Sequence, residues 1–195
     1  MMSSDVSTTR ERILQSTWSA LLDGSTPRVR MSDIASSAGI SRQALYLHFA
    51  NRTELLIETT HYIDRVKDVD RRLARSRSAS SGLERLEAYI DAWGNYIPEI
   101  YGVANALMMM SVTDDDARLA WNGRLAAIRE GCDAIVATLS REGRLSHRFT
   151  PLEATDLLCA HLSVETWRYL RDRCGWNQAR YVEVMQQTIK TTLLE

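Results

Sequence analysis

Cysteine, proline and glycine are all scarce in this 195-residue chain, at three, three and nine residues. Cys132, Cys159 and Cys174 are odd in number and never spaced C-x-x-C, which excludes a disulfide framework. A reduced compartment, the cytoplasm, is expected. So few glycines and prolines leave few tight turns for a many-stranded fold. Long apolar runs are missing too. The longest, Val103 to Val112, is interrupted by Asn105 and Ser111 and is too short to span a bilayer, so no membrane partner is expected. Met1 to Arg12 contains no apolar core of the kind a secretory signal requires. An excess of one charge is also lacking: 24 basic residues face 25 acidic ones, which argues against a chain that coats nucleic acid non-specifically. No G-x-S-x-G, H-E-x-x-H, G-x-G-x-x-G or P-loop pattern occurs, so no enzyme is expected and no cofactor.

What is present is the composition of a folded globular protein, 45% hydrophobic and 25% charged. Apolar residues recur at the helical period almost throughout, and no stretch alternates with period two. An all-α fold of about nine helices without internal repeat is predicted. The first runs over 9–22, opened by a Thr8/Glu11 capping box and stopped at Asp23-Gly24. Short helices follow at 31–38 and 41–49. A longer one spans 51–75, with Asn51 as N-cap and Glu54 three residues on. After the serine-rich break at 76–81, helices are predicted at 83–98 (ended by Pro98), 99–112, 113–142, 151–174 and 177–194. The acids Asp114, Asp115 and Asp116 suit a helix N-terminus, and Pro151 suits a first turn.

The two short helices carry the most information. Ala35 and Ala38 are small enough for a close helix crossing, Gly39 permits the positive φ of a reversal, and Ser41 can cap the next helix. Ile34, Ile40, Leu45 and Phe49 would form a miniature core. This is the helix-turn-helix arrangement, whose second helix enters the major groove of DNA. With Leu45 and Phe49 turned inward, Arg42, Gln43 and Tyr46 lie on the other side. Arginine can donate twice to guanine and glutamine can pair with adenine, while tyrosine suits a phosphate oxygen. A plain helical hairpin with a polar solvent face would share this spacing. Charge agrees with DNA binding: residues 1–52 hold six arginines against four acids, a balance of +2, leaving −3 for the rest.

Thr9-Arg10-Glu11-Arg12-Ile13-Leu14, Met31-Ser32-Asp33-Ile34-Ala35, Gly39 to Phe49 and Asn51-Arg52-Thr53-Glu54-Leu55-Leu56 resemble, in order and spacing, the N-terminal domain of TetR-type transcriptional regulators. The resemblance implies a helix-turn-helix DNA-binding domain at 1–52 and a helical effector-binding and dimerisation domain at 53–195. It places Arg42, Gln43 and Ala44 at base-contacting positions, Tyr46 and His48 at phosphate-contacting ones, Ser32 at the start of the second helix, and Arg52 where a phosphate-contacting lysine is common. Ala44 stands where threonine is frequent. Leu47 is available to a thymine methyl, and Arg30 replaces a capping hydroxyl.

In the second half, Trp93, Tyr96, Tyr101, Met108, Met109, Met110, Trp121 and Trp167 are explained individually by core packing. The resemblance implies that helices 4–8 enclose an effector cavity; Trp93, Tyr96, Met108, Met109 and Trp121 are the candidates for its apolar wall, and Asn105 and His161 for its polar anchors. It also implies that the last two helices pair across a homodimer. Leu158, Leu162 and Tyr169 would form one interface stripe and Tyr181, Met185 and Ile189 another, unless these stripes pack within the protomer. Cys159 lies about 200° round the helix from His161, so Cys159, His161 and Glu165 are not expected to hold a metal. The expected protein is a regulator, read as a repressor. It binds palindromic double-stranded operator DNA as a homodimer and is released by a small apolar or aromatic effector. The alternative is a small-molecule-binding or scaffold protein without DNA binding.

Overall fold

The computed structural model describes residues 8–23 and 29–195. Among them the secondary structure is α-helical: α1 (Thr9–Asp23), α2 (Met31–Ser37), α3 (Arg42–His48), α4 (Arg52–Val66), α5 (Val69–Arg77), α6 (Gly82–Met110), α7 (Asp115–Arg141), α8 (Pro151–His161), α9 (Val164–Arg168) and α10 (Gln178–Leu193). A π-helical turn, Tyr169–Arg173, continues α9. Two compact units are present, one made of residues 1–67 and 102–124, the other of 68–101 and 125–195. No helix among the described residues is long and apolar enough to cross a membrane.

The caps foreseen at several helix starts are in place. Glu11 N–H donates to Thr8 Oγ1 at 3.2 Å while Thr8 N–H donates to Glu11 at 2.8 Å. Thr150 and Glu153 form the same reciprocal box, with Pro151 behind it. Asp114 Oδ1 accepts from the Asp116 and Ala117 amides and opens α7. Such caps satisfy the N–H groups that a helix start leaves over. The Gly24 half of the expected stop after α1 lies outside the described residues.

In the first unit, α1 and α4 pack together around Ile13, Leu14, Leu21, Leu55 and Leu56, all essentially without solvent contact. Thr17 and Thr59 share this core because each hydroxyl donates to the carbonyl four residues back, at 2.9 and 2.7 Å. The helix predicted over 51–75 ends instead at Val66. Asp68 adopts φ 56°, a left-handed conformation that aspartate tolerates better than most residues, and α5 starts afresh after it.

The second unit departs from the sequence reading at two further places, and in both a distant side chain supplies the missing hydrogen bond. Pro98 does not end a helix. It removes the amide that the Gly94 carbonyl would accept from, and Gln178 Nε2 donates to that carbonyl at 2.9 Å instead. The other face of the same amide is fixed by Trp167, whose indole N–H donates to Gln178 Oε1 at 2.9 Å.

The helix predicted over 151–174 breaks after His161, and Ser163 caps its continuation by accepting from Thr166 N–H at 3.0 Å. The carbonyls released at the break are taken up in turn. Thr166 Oγ1 donates to Ala160 at 2.7 Å, Tyr181 to His161 at 3.5 Å and Trp93 Nε1 to Leu162 at 2.9 Å. Trp93→Phe keeps an aromatic ring at this site, though a smaller one that leaves a small cavity, and removes one of these donors. It is expected to lower stability by about 1–3 kcal/mol, the cost of an unsatisfied buried acceptor. Denaturant unfolding followed by circular dichroism measures this, and an unchanged midpoint would show that the Leu162 carbonyl has another partner.

Candidate nucleic-acid interface

The reversal between α2 and α3 is built by two backbone hydrogen bonds, from Ile40 N–H to Ala35 at 3.0 Å and from Gly39 N–H to Ser36 at 3.1 Å. This is the Schellman pattern, which needs a left-handed residue just past the helix end; Gly39 supplies it with φ 68°. Ser41 Oγ then accepts from Ala44 N–H at 3.0 Å and starts α3. Leu45 and Phe49 anchor α3 in the unit's core without solvent exposure. Asn51 caps α4, accepting from Glu54 N–H at 2.8 Å.

Arg10 of α1, which no spacing argument singled out, clamps the far end of α3. Its guanidinium donates to the His48 carbonyl at 2.7 Å, pairs with Glu58 of α4 at 3.1 Å and lies 4.2 Å from the centre of the Phe49 ring. A cation at a helix C-terminus complements the unpaired carbonyls there.

With one face of α3 fixed, the other is left outward. Arg42, Gln43, Tyr46 and Leu47 are exposed, and Leu47 reaches 84%. Arg42 donates to the Tyr46 hydroxyl at 3.4 Å and lies over its ring, which holds both side chains on one side of the helix. Ala44 and His48 are half-buried at the edges of this face. Ser32 is exposed at the start of α2, donating to Asp33 at 3.0 Å, and Arg30 beside it is exposed too. A cationic arginine, an amide, a phenol and an apolar side chain on one seven-residue helix can meet guanine, adenine, phosphate and a thymine methyl respectively.

Residues 13–59 match the sequence profile described as bacterial regulatory proteins, tetR family. The chain carries a TetR-family N-terminal domain. Solved structures agree over nearly the whole length. A protein from Rhodococcus sp. assigned to the TetR family of regulators superposes with a TM-score of 0.74 at 20% identity, covering 95% of this chain and 98% of its own. The fatty acid degradation regulator FadR of Bacillus halodurans gives 0.73 at 16% identity, covering 93% and 94%. NalD of Pseudomonas aeruginosa, the secondary repressor of the MexAB-OprM multidrug efflux pump, gives 0.69 at 20% identity, covering 96% of each chain. At these identities the likeness speaks for the fold. No curated protein sequence matches the chain.

In the TetR-type domain of this chain, Arg52 does not occupy the position expected of a phosphate contact. It is only 9% exposed. Its guanidinium pairs with Asp114 at 2.7 Å and Asp116 at 3.0 Å and donates to the Val29 carbonyl. Thr53 adds a hydrogen bond to Asp116. The first turn of α4 is therefore tied to the segment before α2 and to the start of α7. The acids that suited a helix dipole in the sequence also neutralise this buried arginine.

The effector list divides in the same way. Asn105 and Met109 line a cleft of about 440 Å³ in the first unit, with Leu21 and Leu22 of α1, Val29, and Met110 and Thr113. Met108 is half-buried and Trp121 buried, and neither lines that cleft. Trp93, Tyr96 and His161 belong to the second unit and are engaged internally. The Trp93 and Tyr96 rings meet edge-on at 5.8 Å, Arg72 lies over Tyr96, and the His161 Nδ1 position is bonded to the Leu157 carbonyl at 2.7 Å. The expected dimer stripes are corrected too. Leu158, Leu162, Tyr181, Met185 and Ile189 are covered by their own chain, while Tyr169 remains outward at 62% exposure. Burial pushes the Tyr181 phenol above its ordinary pKa.

Proposed function

We propose that the protein is a ligand-responsive transcriptional regulator that binds palindromic operator DNA as a homodimer and leaves it when a small, largely apolar effector binds. The carrying observation is the outward face of α3, held on a Schellman turn and clamped by Arg10. Arg42 and Gln43 read bases, Tyr46 and His48 meet the backbone, and Ser32 and Ala44 flank the contact. Reading two half-sites requires two recognition helices about 34–36 Å apart, hence a second copy. Tyr169 is the remaining candidate among the expected interface residues. The proposed functional division is 1–52 for DNA and 53–195 for effector and dimer, with residues of α1 and Val29 adding to the effector wall.

The cleft beside α1 suggests the coupling. Its wall includes Val29 and Thr113, next to the groups that hold Arg52. An effector that separates them loosens the tie between α4 and the segment leading into α2. Such a ligand acts only to the extent that it binds the loosened conformer more tightly, and about 1.4 kcal/mol of preference suffices for a tenfold loss of operator affinity.

Binding isotherms on a selected operator and on scrambled DNA test the DNA reading. Arg42→Ala and Gln43→Ala are expected to lose about 1–3 kcal/mol on the operator and much less on scrambled sequence. Equal losses on both DNAs would remove the base-reading role.

A further inference from the structure

Two of the three cysteines meet in the second unit. Cys132 on α7 is fully buried and Cys159 on α8 is partly exposed, and their sulfurs lie within hydrogen-bonding reach. The two helices are tied one turn earlier by Arg129 and Asp156, paired at 2.7 Å, each three residues before its cysteine. The Tyr89 hydroxyl completes the cluster. It hydrogen-bonds to Cys132 and rests against Gly131, where a Cβ would come within 2.8 Å of it.

The two thiols differ in character. The hydrogen bond from Cys132, aided by the Arg129 charge, holds Cys159 below the usual thiol range, against the opposing effect of its burial. The bond to Cys159 and full burial push Cys132 up. Thiolate character and access mark the attacking sulfur of such a pair.

We propose that Cys132 and Cys159 form an oxidation-sensing thiol pair that a hydroperoxide converts into an intrachain disulfide joining α7 to α8. The Cys159 thiolate attacks the O–O bond, taking one oxygen as sulfenic acid while the other leaves as alcohol or water. The Cys132 sulfur then displaces that oxygen from Cys159, and its own proton leaves with the departing hydroxide as water. Two thiols are oxidised by two electrons in all, and one peroxide bond is reduced. Cys174, exposed at the end of the π-turn, is the competing site.

The experiment treats the reduced full-length chain with hydrogen peroxide, blocks remaining thiols with N-ethylmaleimide and maps the peptides. The expected result is loss of two hydrogens per chain, a Cys132–Cys159 crosslink and an alkylated Cys174. Cys159→Ser is expected to abolish the crosslink, whereas Cys132→Ser leaves a sulfenic acid on Cys159 that dimedone captures. Should either variant fail to fold, the order of alkylation in the unmodified chain decides, with Cys159 expected before Cys132. Oxidation confined to Cys174, crosslinks only between chains, or Cys132 reacting first would each overturn the proposal.

Discussion

Arg52→Met is expected to destabilise the first unit by about 3–5 kcal/mol, the usual cost of removing one partner of a buried ion pair. The substitution takes the Arg52 guanidinium away from Asp114, whose side chain is 6% exposed, and from Asp116. Such a loss is a large part of the roughly 5–15 kcal/mol that a domain usually has. Arg52→Lys is expected to recover only part of it, because one ammonium cannot reproduce a planar fork shared among two carboxylates and a carbonyl. Urea unfolding of the single variants and of Arg52→Met combined with Asp114→Asn measures the coupling. A loss below about 1 kcal/mol, as for an exposed pair, would show that the acids relax into solvent. The salt dependence of DNA binding is expected to stay unchanged wherever an Arg52 variant remains folded, since a guanidinium held by acids releases no counterions from phosphate.

Leu162→Glu is expected to abolish folding of the second unit rather than to give a folded monomer. Leu162 has no solvent exposure, and its carbonyl is the one that Trp93 holds. An unpaired carboxylate there costs several kcal/mol before relaxation. Burial raises the pKa of the introduced carboxyl above its unfolded value. The folded variant therefore binds its proton more readily, and the deficit shrinks as the pH falls. Circular dichroism and sedimentation at neutral and mildly acidic pH distinguish the outcomes. A helical, folded monomer at neutral pH would return this residue to a subunit interface.

Signals confined to a few neighbouring residues were readable in the sequence. Thr8 with Glu11, Asn51 with Glu54, Pro151 in a first turn, and Gly39 before Ser41 each act over one turn, so spacing alone locates them. What the sequence concealed depended on partners far along the chain. Pro98 reads as a stop unless a donor is known to wait at Gln178, and the 161–163 break shows nothing locally stronger than Ser163. The stripe of Tyr181, Met185 and Ile189 is legible as apolar, but periodicity does not say whether the chain itself or a second copy covers it. Arg52 reads as a surface cation for the same reason, since Asp114 and Asp116 lie 62 and 64 positions further on.

Completion of α6 has a consequence for the order in which the chain acquires its structure. Helices are normally local, each carbonyl finding its amide four residues away within a microsecond or so. The Gly94 carbonyl must instead find a side chain 84 positions later, on the last helix of the chain. During synthesis it stays bonded to water until residue 178 has emerged and α10 has docked. The middle of the longest helix is thus expected to be among the last places to become dry, since the bond that completes it carries the loop-closure cost of a distant contact.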